Sequence, residues 1–184
     1  MRTSHPDIAL ILIVAAWPML AGCATRATIR PEDEIYPHTK VSISFAIPVG
    51  WQLSSEEHQA EFKAALVPRN GDRAVITLLS SRNTWEKQAE ETESQGYLQY
   101  LRGTHDPHAS LQVVGSFDAG AFGQRNVYHT CTDYNAFIND WLAVFLTRGP
   151  DAVQIEAWTP KCGDTAKYRQ TVEAIARSVS IENI

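Results

Sequence analysis

The histidines and the carboxylate beside them are the first residues whose types and spacing could support chemistry. His105-Asp106-Pro107-His108 places two imidazoles and a carboxylate within four positions, and these groups bind divalent metals. Pro107 fixes a turn there, so the ligands do not share one face of a helix or strand. We therefore predict a solvated loop at this position, with no metal site and no cofactor. His129, between Tyr128 and Thr130, is interpreted as a strand residue rather than a general base.

The common motifs of enzymes are missing from the sequence. Gly115-Ser116-Phe117-Asp118 lacks the second glycine of the G-x-S-x-G nucleophile turn. There is no P-loop, no G-x-G-x-x-G and no H-E-x-x-H. A net charge of −5 also argues against a nucleic-acid binder, which usually has a clustered basic surface. We therefore expect a protein that is not an enzyme and does not bind nucleic acid.

The first part of the chain has the pattern of an export signal. Residues 8–17 form a ten-residue apolar run. A membrane-spanning helix needs about 20 residues, so this run is too short to span and instead fits the apolar region of a signal peptide. Leu20-Ala21-Gly22-Cys23 follows directly. This tetrapeptide resembles the lipobox of bacterial lipoproteins.

The lipobox resemblance implies a location. It implies a signal peptide over residues 1–22, cleavage before Cys23, and diacylglycerol and acyl chains on Cys23. Two or three chains make a stable membrane anchor where one would not. Ala24, which stands where an Asp would matter for sorting, implies the outer membrane facing the periplasm if the cell is Gram-negative. An uncleaved anchor, or a secretory signal with a chance cysteine, is the alternative.

Cys131 and Cys162 are the two cysteines that remain after lipidation of Cys23. An exported domain lies in an oxidising compartment, so the pair predicts a disulfide. Two free thiols or a catalytic thiol remain as alternatives.

The rest of the chain reads as a tether followed by one domain. Residues 24–40 contain two prolines and mixed charges without a periodic apolar pattern, so we predict a flexible tether over 23–40 and a single globular domain over 41–184. Within the domain, alternating and continuous apolar runs predict strands, and 3.6-residue periodicity predicts helices. The predicted strands are 41–47, 62–68, 73–80, 110–117, 124–132, 140–147 and 152–158. The predicted helices are 84–102, with Asn83 and Glu86 as a capping box, and 165–179.

These elements predict an α+β fold in which two helices cover a mostly antiparallel sheet, with Trp85, Trp141 and Tyr168 in the core. The order of elements over 41–182, together with the motif Phe45-Ala46-Ile47-Pro48-Val49-Gly50-Trp51, resembles the PsbP-like fold. That group includes the photosystem II extrinsic protein, the Ran-binding Mog family and DcrB-type bacterial lipoproteins. The resemblance implies an α/β/α sandwich with an accessory or binding role, and no catalytic residues to carry over.

Three functions are compatible with these features. The first is an anchored accessory module that binds another envelope component, most simply a protein, with Trp158 as a possible partner contact if its side chain is exposed. The second is a binder of a small apolar or lipid ligand in a cavity lined by Phe117, Phe122 and Phe145. The third is an envelope hydrolase, which requires His129 or His105 within hydrogen-bond reach of a carboxylate or hydroxyl.

Overall fold

The computed structural model describes residues 25–33, 41–54, 62–83, 85–134 and 137–183. The predicted signal peptide and Cys23 lie outside the described residues. Within these ranges, no helix is long and apolar enough to cross a membrane. The strands are β1 (Arg26–Ile29), β2 (Glu32–Asp33), β3 (Val41–Ala46), β4 (Trp51–Leu53), β5 (Lys63–Pro68), β6 (Val75–Arg82), β7 (Gln112–Asp118), β8 (Gln124–Tyr134), β9 (Phe137–Arg148), β10 (Asp151–Thr159) and β11 (Ser180–Asn183). The α-helices are α1 (Glu90–Thr104) and α2 (Arg169–Ser178), and short 3-10 segments occupy Gly120–Phe122 and Asp164–Tyr168.

The central sheet confirms the predicted α+β fold. Its strands run in the order β4-β5-β6-β10-β9-β8-β7, all antiparallel, and β2 pairs parallel with β6. The runs Val75-Ile76-Thr77-Leu78-Leu79 and Trp141–Leu146, apolar on both parities, belong to β6 and β9. Both strands have neighbours on each side in the sheet, and β9 is buried on both faces as its composition predicts, whereas β6 is buried on one face and partly exposed on the other.

The two faces of the sheet carry separate cores. Leu142, Val144 and Leu146 of β9 face α2, whose Val172 and Ile175 are fully buried. The intervening Trp141, Ala143 and Phe145 face α1. Alternate side chains of one strand therefore pack into the cores on opposite faces of the sheet, which gives the predicted sandwich.

A second, three-stranded sheet corrects the predicted tether. Its order is β1-β3-β11, so strands from both ends of the described chain flank β3. Ala27 and Ile29 of β1 are buried in the α2-side core, whereas Arg26 and Thr28 are exposed. The tether prediction is wrong over β1 and β2, because strands of four and two residues give too short a pattern to identify without the strands that pair with them.

The start of the first helix is also corrected. The chain between β6 and α1 bonds to the turn between β9 and β10: Asn83 N–H donates to Pro150 O at 2.9 Å, and Gln88 N–H to Gly149 O at 2.8 Å. Asn83 Oδ1 accepts from the N–H groups of Trp85 and Glu86, but the helix begins only at Glu90. Trp85 is therefore 69% exposed and is not in the core. Trp141 and Tyr168 are buried as predicted.

Candidate functional site

Helix α1 covers only part of its face of the central sheet. Tyr97 and Leu101 pack over β9, where the rings of Tyr97 and Phe145 lie 5.6 Å apart. The same face of β5, β6 and β10 lies beside the helix rather than beneath it. A groove of about 550 Å³ opens there, which we call the α1 groove. Its lining includes Lys63, Thr77, Tyr97, Tyr100, Gln154 and Glu156.

Glu156 lies on the floor of the α1 groove. It pairs with Ala143 of β9 and Thr77 of β6, so its backbone is fixed in the centre of the sheet. Its Oε2 accepts a hydrogen bond from Gln154 Nε2 at 3.0 Å. Burial raises the pKa of the Glu156 carboxyl above its ordinary value of 4.5, and Tyr97, Gln154 and the charge of Lys63 oppose that rise. The site therefore holds an acid that is poorly stabilised as a carboxylate.

Tyr97 brings a buried hydroxyl to the same place. Burial raises its pKa well above 10.0, and the charge of Glu156 adds to that rise. The hydroxyl lies close enough to Glu156 for this coupling, yet it makes no hydrogen bond of good geometry with any residue in the described ranges. The Tyr97 hydroxyl and the Glu156 carboxyl therefore act on each other, and a polar group that enters the groove would reach both.

The walls of the groove offer both a charged group and an aromatic ring for contact with a ligand. Lys63 stands on β5, and no carboxylate of the described chain lies within ion-pair distance of it. Tyr100 is 55% exposed at the rim and stacks on Tyr97 with ring centroids 6.4 Å apart. The period of β10 could predict that Gln154 and Glu156 share a face, but only the placement of α1 brings Tyr97 over them.

A second polar cluster joins His129, Asp140 and Thr165. Asp140 is fully buried, and its Oδ1 lies 2.7 Å from His129 Nε2. Its Oδ2 accepts from the Thr165 N–H at 2.8 Å and from Thr165 Oγ1 at 2.7 Å. Both carboxylate oxygens are thus used to hold β8, β9 and the 3-10 segment together. His129 is next to a carboxylate, which is one element of the geometry required by the hydrolase hypothesis.

Cys131 and Cys162 form a disulfide beside this cluster, with Cα atoms 5.6 Å apart. Cys131 is paired with Asp140 across β8 and β9. The two sulfurs and the Asp140 carboxylate are the one set of three metal-ligating groups that the described residues bring together. Because the sulfurs are bonded to each other, they are not available as thiolate ligands.

The other residues singled out from the sequence lie apart. His105 packs between the rings of Tyr100 and Trp141, at 5.8 and 5.1 Å, and His108 is exposed in the following turn. Trp158 is partly buried against Trp141, and its indole N–H donates to Asn139 Oδ1 at 2.8 Å.

The three phenylalanines proposed to line a ligand cavity belong to different cores. Phe117 and Phe122 lie in the α2-side core, and Phe145 lies in the α1-side core, across the sheet. All three are packed and buried. Parity alone could not assign Phe117 to a face, because β7 contains a bulge between Val113 and Gly115, and Phe122 lies in the 3-10 segment after β7, where strand parity does not apply.

No known protein-family model matches the sequence, and no curated protein matches it. Solved structures do. LpqN of Mycobacterium tuberculosis, described as involved in cell envelope biogenesis, is 16% identical over 85% of this chain and 91% of its own, with a TM-score of 0.51. Cyanobacterial PsbP from Synechocystis sp. PCC 6803 is 9% identical over 88% of this chain and 95% of its own, with a TM-score of 0.50. The fold is PsbP-like. A Bacteroides thetaiotaomicron structure also matches 77% of this chain at 12% identity and a TM-score of 0.47, but this chain spans only 45% of its length.

In this PsbP-like domain, the motif Phe45–Trp51 connects the two sheets. β3 ends at Ala46, the chain turns through Pro48 and Gly50, and β4 begins at Trp51. Gly50 has a φ of +84°, a conformation that favours glycine. A second groove of about 470 Å³ lies at this turn, and Thr25 and Arg69 contribute to its wall. Val49 is 99% exposed and Leu53 is 47% exposed.

Proposed function

We propose that this protein is a lipid-anchored lipoprotein of the bacterial cell envelope, and that its PsbP-like domain is a non-catalytic binding module for another envelope protein. The anchor is the acylated Cys23 that the Leu20–Cys23 motif implies. The α1 groove is the observation that carries the binding role. It places the partly buried carboxyl of Glu156 beside the buried hydroxyl of Tyr97, where an entering group can contact both.

The chemistry of the groove defines what the partner presents. A lysine or arginine side chain would supply the cation that stabilises the Glu156 carboxylate and the donors that pair with it. Tyr97 would then donate to, or accept from, the same entering group. Tyr100 adds an exposed aromatic ring of the kind that is enriched at binding hot spots.

Membrane anchoring would make this binding site act on partners at the membrane. A lipid on Cys23 confines the domain to a thin layer beside the membrane, which raises its effective concentration near membrane partners. The protein would therefore act by holding its partner at the membrane.

The hydrolase alternative has one observation in its favour, the contact between His129 and Asp140. We assign that pair to the fold, because the second oxygen of Asp140 is occupied by Thr165. Hydrolysis of generic ester substrates that is lost in His129→Ala would overturn the non-catalytic assignment. The apolar-ligand alternative has less support, because the charged side chains of Lys63 and Glu156 line the α1 groove, and Phe117 and Phe145 are packed in separate cores.

Site-directed photo-crosslinking in intact cells tests the binding role. A photoreactive amino acid at Tyr100 samples the groove, and the same amino acid at Val113 on β7 is the matched control, because the two positions are 55% and 58% exposed. We expect one discrete adduct from position 100 that weakens in Glu156→Gln and is lost in a soluble Cys23→Ser export variant. Equal adducts from positions 100 and 113, or none from position 100, would contradict a partner site in the groove.

A further inference from the structure

The start of β1 and the end of β3 lie at the same end of the small sheet. Arg26 pairs with Ala46 in an antiparallel register. One residue further out, the Ile47 N–H donates to the Thr25 carbonyl at 2.8 Å. Because the strands are antiparallel, Thr25 at the start of β1 and Ile47 after the end of β3 lie side by side at one end of the small sheet.

Covalent geometry then limits where Cys23 can be. Cys23 comes two residues before Thr25 in the sequence, and consecutive Cα atoms are about 3.8 Å apart, so a lipid-bearing Cys23 would be joined to Thr25 by at most about 7.6 Å of chain. Thr25 itself lines the groove at the Phe45–Trp51 turn. A lipid on Cys23 would hold this turn, rather than another part of the domain, against the membrane.

The turn has an apolar tip. Val49 is 99% exposed, and Leu53 is exposed on β4 beside it. Pro48 and Gly50 fix the turn that presents Val49, so the exposed side chain projects from a defined backbone. An exposed apolar tip of this kind can be buried in the apolar part of a membrane surface.

One arginine, Arg69, lines the groove at this turn, and another, Arg26, lies on β1 opposite the end of β3. Arg26 donates to Ser44 Oγ, Ser178 O and Ser180 Oγ, which are all uncharged acceptors. Arg69 donates to the Trp51 carbonyl at 3.3 Å, and its backbone N–H to Gly50 O at 2.8 Å. Neither guanidinium lies within ion-pair distance of a carboxylate in the described ranges. Both charges are therefore available to lipid phosphates.

We propose that the Pro48–Leu53 turn rests directly on the phospholipid surface to which Cys23 is anchored, with Val49 and Leu53 in the apolar layer and Arg26 and Arg69 at the level of the headgroup phosphates. The domain is then seated on the membrane rather than suspended from it. This inference rests on the lipid anchoring proposed above, and it leaves the α1 groove, on the other face of the central sheet, open to a partner.

Fluorescence quenching on vesicles tests this seating. The lipidated full-length protein is reconstituted into vesicles of phosphatidylethanolamine and phosphatidylglycerol, with an environment-sensitive dye on Val49→Cys. Val113→Cys is the matched control, because Val113 is an exposed valine on β7, the outermost strand on the β8 side of the central sheet. The native disulfide and the lipid on Cys23 leave only the introduced thiol to react. Val49 is fully exposed, so its replacement removes no packing.

We expect nitroxide-labelled lipids to quench the dye at position 49 several-fold more than the dye at position 113. Replacement of both Arg26 and Arg69 by Gln should reduce that quenching. Flotation of the vesicles reports the anchor separately, so protein that does not float counts against lipid anchoring. Equal, weak quenching at both positions in floated vesicles would overturn the seating. A blue shift at position 49 without quenching, growing with the number of proteins per vesicle, would also overturn it in favour of a second copy of the chain.

Discussion

Asp140 and Thr165 are joined by two hydrogen bonds: one carboxylate oxygen of Asp140 accepts from the Thr165 N–H at 2.8 Å and from the Thr165 hydroxyl at 2.7 Å. The residues are 25 positions apart, and Asp140 is fully buried. The carboxylate thus fixes the start of the 3-10 segment, which leads into α2, against β9. Its other oxygen contacts His129 on β8, so three parts of the fold meet at one side chain.

Asp140→Ala should destabilise the domain by about 3 kcal/mol, because it leaves the buried Thr165 N–H and hydroxyl without their acceptor. Urea unfolding at neutral pH with the disulfide intact measures this loss. Asp133→Ala, at an exposed position near the C-terminal end of β8 and outside this network, is the control and should change stability by less than about 0.5 kcal/mol. Equal effects of the two substitutions would mean that the Asp140 network contributes little.

The Cys131–Cys162 disulfide closes a loop of 31 positions. In the chain-entropy model a loop of this length contributes about 3–4 kcal/mol. Cys131→Ser/Cys162→Ser should therefore lower the free energy of unfolding by up to that amount. The disulfide and Asp140 fasten the same segment, so we expect the effects of Asp140→Ala and the double serine variant to differ from simple addition. Strict additivity of the measured unfolding free energies would show that the two links act independently.

Glu156 should make stability fall as the pH rises. Its folded pKa is raised above 4.5 by burial, so between 4.5 and that raised value the folded protein binds more protons than the unfolded chain. Folding then loses stability through this window, and the loss persists at higher pH. Glu156→Gln should remove this dependence of the unfolding free energy on pH. The variant should be more stable than the parent at neutral pH and equally stable below pH 4.5.

Unfolding curves across the pH range measure this effect for the parent and for Glu156→Gln. Exposed Glu86→Gln is the matched control and should follow the parent profile. A neutral-pH stability that is lower in Glu156→Gln than in the parent would mean that the carboxylate is well paired, and that the α1 groove needs no entering group.

Gly115 lies against the guanidinium of Arg169. A Cβ added at Gly115 would stand 2.7 Å from Arg169 Cζ. Arg169 donates to Glu173 Oε1 and to the Val114 carbonyl, and both bonds would be displaced. Gly115→Ala should therefore cost about 1 kcal/mol, measured by thermal or urea unfolding.

Two variants separate this clash from the general effect of replacing glycine. Gly115→Ala in an Arg169→Ala background should be neutral or stabilising, because the obstructing side chain is gone. Gly103→Ala, in α1 with open space around its added Cβ, should stabilise by up to about 1 kcal/mol. An equal cost of Gly115→Ala with and without Arg169 would place the strain in the backbone of the β7 bulge.

Strong local periodicity made much of the fold predictable. The continuous apolar run of β9, the alternation of β10 and the helical face of Val172, Ile175 and Ala176 each identify their element without outside help. β1, β4 and β11 are too short to show a period, and they exist because β3 and β5 pair with them. The start of α1 was mispredicted for a related reason, since Gly149 and Pro150 compete for the backbone of residues 83–88.

The candidate site was less accessible from the sequence. Glu156 could be placed on a sheet face by parity, but its proximity to Tyr97 depends on where a helix that precedes it by more than 50 positions crosses that face. The disulfide was predictable, because the predicted export signal implies an oxidising compartment and the predicted domain holds only two cysteines. The network of His129, Asp140 and Thr165 was not, because strand register and a turn far along the chain must both be known.

The pairing of β3 with β11 has a consequence for the order of folding. Ser180 pairs with Ser44, which lies 136 positions earlier, so the three-stranded sheet requires the closure of a very long loop. The sheet cannot be completed until the chain has been synthesised as far as Asn183. The central sheet, built largely from neighbouring hairpins, can form before it. The end of the domain that holds the exposed Val49 turn is therefore expected to become ordered last, after the α1 groove on the other face already exists.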